Sequence, residues 1–364
     1  MKIGILTQPL NHNYGGILQN FALQTVLRQM GHEPITLNYA HLPKDEYNRY
    51  LRAYIYRSLR LSPSRKEVWV NRNIKRWRKN FIKFEKKYIS QLYAGRTFVE
   101  KKRIVKQNFD AFIVGSDQTW RPIYNPGEVI YNMFLDFAQD ISSIKRLSYA
   151  ASFGVDSWEF DEQQTERCKS LLDGFDAVSV REISGIKLCS DNFQRTPSLV
   201  LDPTMLLNKE NYKSIAAKST CKDYFAVYFL EPTKEKLQYI KIIEETTGKH
   251  AVIIGNRDRD GIWQSIEAWL GLLLYSDFVI TDSFHGTVFS ILFEVPFFTI
   301  KHSGRGSTRI DTLISYFGIK NRVFKEDDLR IFDDNYDIDW VYIKSILSLK
   351  RKESMAFLHK ALEI

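Results

Sequence analysis

The residues best suited to chemistry cluster where apolar runs meet polar turns. In the stretch Val279-Ile280-Thr281-Asp282-Ser283-Phe284-His285-Gly286, a short buried strand over 278–280 is expected to lead through a turn into an apolar helix over 287–293. His285 would then stand at the carboxyl end of a strand, where open α/β sheets bind ligands. The free N–H groups of a new helix favour anions at the same place. A lone histidine in apolar surroundings is more often a satisfied core residue; the flanking Asp282, Ser283 and Gly286 weigh against that here. The segment 111–120 repeats the pattern, an apolar run ending in Gly115, Ser116, Asp117 and Gln118. Residues 177–180 form another such run and deliver Arg181, whose guanidinium suits a carboxylate or phosphate; an ion pair with Glu182 or another acid is the structural alternative. The loop 301–309 carries glycines with Lys301, Arg305 and Arg309. Loops of this kind bind anions, although exposed cations are usually just solvated. No His, Cys and Asp group has metal-ligand spacing, so no metal is expected.

Elements must exist to hold these groups. Residues 2–7 read as a first strand, followed by the loop Asn11-His12-Asn13-Tyr14-Gly15-Gly16 and an amphipathic helix to about Met30, with Gly31 placed to cap it. A second strand follows over 34–38. The paired glycines let backbone approach a ligand, or are simply turn chemistry. The loop is not a G-x-G-x-x-G fingerprint, and no acid ends the second strand to hold a ribose, so a dinucleotide site is not expected. Residues 147–154 are small at another strand end, and the helix over 161–172 leads to the Arg181 strand. Leu201-Asp202-Pro203 closes the first half. Strand and helix then alternate again: strands at 223–230, 250–254, 278–280 and 296–300, helices at 232–246 and 264–275, and a last helix over 339–361. Alternation in both halves predicts two doubly wound, Rossmann-like α/β domains facing a cleft, 1–200 and 201–338. The tail 339–364 is placed to pack back on the first domain. Strand-end loops of both would line one cleft, giving Arg181, His285, Arg305 and Arg309 a shared address.

Composition bounds the rest. The 364 residues are 44% hydrophobic and 14% aromatic, enough for sizeable cores and against disorder. There is no apolar run of about 18 residues, hence no membrane-spanning helix, and the start lacks a signal-peptide pattern. The three cysteines, Cys168, Cys189 and Cys221, form no disulfide framework. These features predict a soluble cytoplasmic protein. The formal charge of +9 is regional: 49–106 holds 19 Lys and Arg against Glu67, Glu85 and Glu100, and the remainder holds 33 basic and 40 acidic residues. Within 44–108, aromatic and aliphatic residues recur at helical spacing opposite cations, a basic helical insertion in the first domain. Such helices lie on anionic lipid, which would make the protein peripheral on the inner face of the cytoplasmic membrane. An ordinary solvated helical face is the plain alternative; nucleic acid is a third, without a recognised binding motif.

Taken together, the segments 13–20, 114–120, 179–182, 201–204 and 281–286 resemble the polysaccharide pyruvyl transferase family over about residues 3–320, the basic insertion being the least family-like part. The resemblance implies a fold like the GT-B glycosyltransferases and a bacterial enzyme of capsule or exopolysaccharide biosynthesis. Its donor would be phosphoenolpyruvate, with no further cofactor. The acceptor would be two hydroxyls of a sugar in a lipid-linked glycan, and the product a cyclic pyruvate ketal. It implies donor contacts from Arg181 and His285, to which Ser283, Gly286, Arg305 and Arg309 are added. Asn13, Tyr14, Gly15, Gly16, Gln19, Asp117, Gln118 and Trp120 are expected on the acceptor side of the cleft. His285 is the candidate acid and Asp117 the candidate base. Many relatives carry Arg two residues before the histidine, where this chain has Ser283; Arg305 or Arg309 would have to replace that charge, or the donor is bound differently, or the activity differs. A GT-B glycosyltransferase using a nucleotide sugar and a non-catalytic nucleic-acid-binding protein are the other classes. No nucleic-acid partner is expected on the main reading.

Overall fold

The computed structural model describes residues 1–39, 76–95, 98–301, 307–326 and 337–363. Two parallel sheets organise them. The first runs β3(Gln91–Gly95), β2(Glu33–Tyr39), β1(Lys2–Leu6), β4(Ala111–Val114), β5(Lys145–Ser148). A short parallel pair, β6(Ser179–Val180) and β7(Ser198–Leu199), joins the β5 edge through the bridges Leu147–Ala177 and Ala151–Val180. The second sheet is ordered β12(Val323–Lys325), β11(Phe297–Lys301), β10(Val279–Thr281), β8(Tyr224–Tyr228), β9(His250–Ile253). Central strands such as β4 and β8 are buried along their whole length, as strands covered on both faces by helices must be. These are the two Rossmann-like sheets expected from the alternation.

Strand order locates the ligand crevices. In the first sheet the chain leaves β1 for β2 and β3, then returns to β4 on the other side of β1. In the second it leaves β8 for β9 and returns to β10. Open α/β sheets bind ligands outside the carboxyl ends of strands at such reversals. The strand ends there lead to Asn13 and Asp117 in the first half and to Ser283 and His285 in the second.

Two helices matter most for the site. Helix α1 (Tyr14–Gln29) starts at Asn13, whose side-chain oxygen accepts from the Gly16 N–H, a favoured N-cap. The helix expected from Thr287 starts earlier, over Phe284–Phe293, because the Ser283 hydroxyl caps it by accepting from the Gly286 N–H. His285 therefore stands in a first helical turn instead of a loop. The basic region also departs from expectation. Its described part holds the helix Lys79–Tyr88 but also the edge strand β3; its remainder and Arg305 lie outside the described residues.

The apolar core under the cleft is continuous across both halves. Tyr14, Phe21, Tyr212, Trp269 and Phe289 belong to one buried cluster. The Tyr14 ring stacks on Trp269 at 5.4 Å, while its hydroxyl donates to the Gln264 carbonyl at 2.8 Å. The long helix Trp340–Leu362 reaches back to the first half: the Leu201 N–H donates to the Ser354 hydroxyl, and Phe357 lies against Tyr149.

Candidate active site

A buried carboxylate that sequence reasoning passed over is the hub of the site. Asp202 Oδ2 lies 2.7 Å from Arg181 Nη1, 2.5 Å from Gln19 Nε2 and 3.7 Å from His285 Nε2. Its other oxygen accepts from the Thr204 N–H and hydroxyl. Burial pushes this carboxyl up, but the imidazole of His285 and the guanidinium of Arg181 outweigh it and hold it well below the usual carboxylate range. Asp202 thus stays ionised and draws a guanidinium from one half and an imidazole from the other to the same oxygen. Its sequence signal was an acid following a strand and preceding a proline, which reads equally well as a turn.

Arg181 is fully buried among three carboxylates. Besides Asp202, it has Asp117 Oδ1 at 3.6 Å and Glu182 Oε2 at 3.8 Å. Desolvation works against its charge, yet Asp202, Asp117 and Glu182 prevail and its pKa is raised. Glu182 is fixed by the Phe153 and Gly154 N–H groups. Arg309, in the helix Ser307–Phe317, shares an aromatic neighbour with Arg181: the two guanidinium groups stand 5.4 and 5.3 Å from the Phe284 ring. Burial and the neighbouring Arg181 push Arg309 down to about 10, so it remains a cation near neutral pH. Arg181 Nε and Nη2, Arg309 Nε and His285 Nε2 are buried polar atoms with no hydrogen-bond partner in the protein. Buried unmade hydrogen bonds cost about 1–3 kcal/mol each, so this cluster at a strand-end crevice is a candidate binding site.

His285 is positioned by a missing side chain. A Cβ on Gly15 would sit 2.0 Å from His285 Nδ1, so only glycine lets α1 approach the ring this closely. Gly16 faces Asp117 Oδ2, to which Asn13 Nδ2 also reaches at 3.5 Å. Asp117 adopts a left-handed backbone, φ +69°, uncommon for a non-glycine residue and frequent at functional sites. It borders a cavity of about 560 Å³ whose lining includes Gln8, Asn13, Gly16, Gln118, Ile123 and Tyr124, a size typical of small-ligand pockets. Asp117 therefore stands between the cationic cluster and the cavity.

Four of the expected site residues are placed differently. Trp120 is buried in the first-half core, stacked on Phe134 and donating to the Met133 carbonyl; its indole is too large and apolar to be left at the cleft. Tyr14 joins the two halves by its stack on Trp269 and its bond to Gln264. Gly286 is a packing residue, since a Cβ there would meet Thr281 Oγ1 at 2.2 Å. Gln19 turns from the cavity to the Asp202 carboxylate. Asp282 also faces away: it accepts from the Leu230 and Glu231 N–H groups and pairs with buried Lys236 at 2.9 Å. Among the described residues no group of His, Cys, Asp and Glu is arranged to hold a metal ion.

Comparison with known proteins bears on this arrangement. The UDP-GlcNAc 2-epimerase of Methanocaldococcus jannaschii aligns over 98% of this chain and 100% of its own, with 12% identity and a TM-score of 0.51. A putative UDP-N-acetylglucosamine 2-epimerase of Listeria monocytogenes aligns over 100% and 98% at 11% identity, TM-score 0.44. A UGT transferase of Siraitia grosvenorii in complex with UDP aligns over 99% and 95% at 10% identity, TM-score 0.45. At such identity the likeness to the Methanocaldococcus jannaschii enzyme is one of fold, the GT-B arrangement. Curated protein sequences yield no match. The model of the family described as polysaccharide pyruvyl transferase matches residues 13–304, a span that takes in Gly15, Asp117, Arg181, Asp202 and His285, and the chain belongs to that family.

Proposed function

We propose that this transferase takes its pyruvyl group from phosphoenolpyruvate and builds a cyclic ketal on two hydroxyls of one sugar in a surface-polysaccharide precursor. The observation that carries the donor is the set of buried nitrogens of Arg181, Arg309 and His285 that make no hydrogen bond within the protein. Phosphoenolpyruvate offers a carboxylate and a phosphate on three carbons, and two guanidinium groups beside the same Phe284 ring supply cations suited to both. Arg309 supplies the cation that Ser283 lacks, while the Ser283 hydroxyl remains the cap of its helix.

The positions support the following chemistry. A proton from the His285 imidazole passes to the methylene carbon of the enol phosphate, making the methyl group and leaving positive charge on the adjacent carbon. A sugar hydroxyl attacks that carbon while Asp117, at the cavity edge, takes its proton. The carbon–oxygen bond to phosphate breaks, with the leaving charge held by the arginines. The second hydroxyl then attacks and closes the ring; one hydroxyl proton restores the acid and the other leaves with phosphate. The 560 Å³ cavity beside Asp117 is the proposed seat of the acceptor sugar.

Thermal-shift titration with phosphoenolpyruvate against a panel of nucleotide sugars tests the donor. At a hundred times Kd a true donor stabilises the fold by about 2.7 kcal/mol, and stabilisation by a nucleoside diphosphate alone would point instead to a glycosyltransferase. His285→Ala and Arg181→Ala are each expected to abolish pyruvyl transfer in a protein with an unchanged circular dichroism spectrum. Undiminished turnover by either variant removes that residue from the mechanism.

A further inference from the structure

The basic character of the described insertion has a use that the donor site does not absorb. A groove of about 580 Å³ lies where the C-terminal part of α1 and the end of the helix Lys79–Tyr88 meet residues 211–215 of the second half. Its lining carries three cations, Arg28, Lys86 and Lys87, and no carboxylate. Thr25, Ser90, Asn211 and Ser214 add hydroxyl and amide groups, over an apolar floor that includes Phe21, Tyr88 and Ile215.

Neutral partners fix the guanidinium. Arg28 donates through Nη2 to Gln24 Oε1 and the Ser90 hydroxyl, and through Nη1 to the Tyr88 carbonyl. Lys87 lies over the Tyr88 ring at 4.8 Å. No ion pair of Arg28, Lys86 or Lys87 is found among the described residues, as is also the case for Lys79, Lys83 and Lys106, whereas Arg76, Arg78, Lys101, Lys102 and Arg103 pair with acids. Cations at helix C-termini complement the helix dipole, which accounts for their sequence positions. It does not account for their convergence on one concave surface whose own lining holds no carboxylate, Glu267 acting on Lys87 from outside that lining. The groove takes the C-terminal part of α1, from Phe21 to Arg28, whereas the candidate active site takes Gly15 and Gln19 nearer its N-terminus.

We infer that this groove is a second anion site, bridging the two halves, for a phosphate-bearing ligand whose apolar part rests on Phe21, Tyr88 and Ile215. A phospholipid headgroup and a soluble organic phosphate share that chemistry. Inorganic pyrophosphate and vesicles serve as probes. Calorimetric titration of the intact protein with pyrophosphate should show two sites, of which Arg181→Gln removes the donor site and combined Arg28→Gln, Lys86→Gln and Lys87→Gln removes the groove. Losing charge-assisted bonds should weaken the groove site by about tenfold or more. Because Arg28 also supports its neighbours, the Lys86→Gln and Lys87→Gln pair is measured beside the triple variant, with Tm confirming the fold. Cosedimentation with phosphatidic acid vesicles, compared with neutral vesicles, identifies the source. Loss of vesicle binding in the folded variants assigns the groove to lipid phosphate; retained vesicle binding with lost pyrophosphate binding assigns it to a soluble ligand. Pyrophosphate and vesicle binding both unchanged in the folded variants overturn the inference. Since the Arg181→Gln arm reports separately, failure of the donor reading is distinguishable from failure of the groove.

Discussion

At the residue scale, the site depends on closeness as much as on charge. Asp202 Oδ2 holds Arg181 and His285 from opposite halves within 4 Å of one atom, close enough for both to reach a single three-carbon phosphoester. His285 keeps its place only because Gly15 has no side chain. Gly15→Ala should displace the ring by a fraction of an ångström to an ångström, and misplacement on that scale costs about 100-fold in rate. We therefore expect kcat to fall about that far while Tm drops modestly, since overpacking costs about 1–3 kcal/mol. Wild-type kcat in a folded Gly15→Ala protein would show that the imidazole is not the acid. His285, Arg181 and Asp117 were legible in the chain because each follows an apolar run long enough to be a strand. Asp202 was not, because an acid before proline carries no mark of which side chains converge on it.

At the element scale, the turn between β10 and the His285 helix is clamped from behind. Lys236 and Asp282 are both buried and lie 2.9 Å apart, and Asp282 also accepts from two backbone N–H groups. Removing one member of a buried pair leaves an uncompensated charge, a loss of about 3–5 kcal/mol. Lys236→Met is expected to lower the urea midpoint accordingly; a change below about 1 kcal/mol would mean that the pair is not what holds the turn. Elements with strong signals, such as the fully apolar β4 and β8, were readable from their pattern; α1 was expected to open only after the loop ending at Gly16, but it starts at Tyr14 because Asn13 caps it. The edge strand β3 was not: its burial falls mainly on Ala94 and Gly95, and a half-exposed strand in a basic stretch looks like the helices around it.

At the scale of the whole molecule, the two halves share one apolar core through Tyr14, Phe21, Tyr212 and Trp269. A large apolar junction favours a fixed relation between domains over free hinge motion, so the cluster around Asp202 is assembled without requiring closure. No helix among the described residues is long and apolar enough to cross a membrane. We propose that contact with anionic lipid is electrostatic, through the basic region. The protein should cosediment with anionic vesicles at low salt, not with zwitterionic ones, and be released near 1 M salt, where the Debye length shrinks to about 3 Å. Equal binding to both vesicle types would exclude an electrostatic origin.

The amino-acid order alone determined the alternation of strand and helix, the basic segment, and which polar residues stand at strand ends, because those follow from local periodicity and chain chemistry. Which strand ends face each other was decided only by the tertiary structure. Packing of two sheets through a shared core brought Gly15 onto His285 and Asp202 between Arg181 and His285, carried Arg309 beside Phe284, and drew Trp120 and Tyr14 into apolar contacts. Such convergence depends on distances between residues far apart in the chain, and no local pattern encodes them.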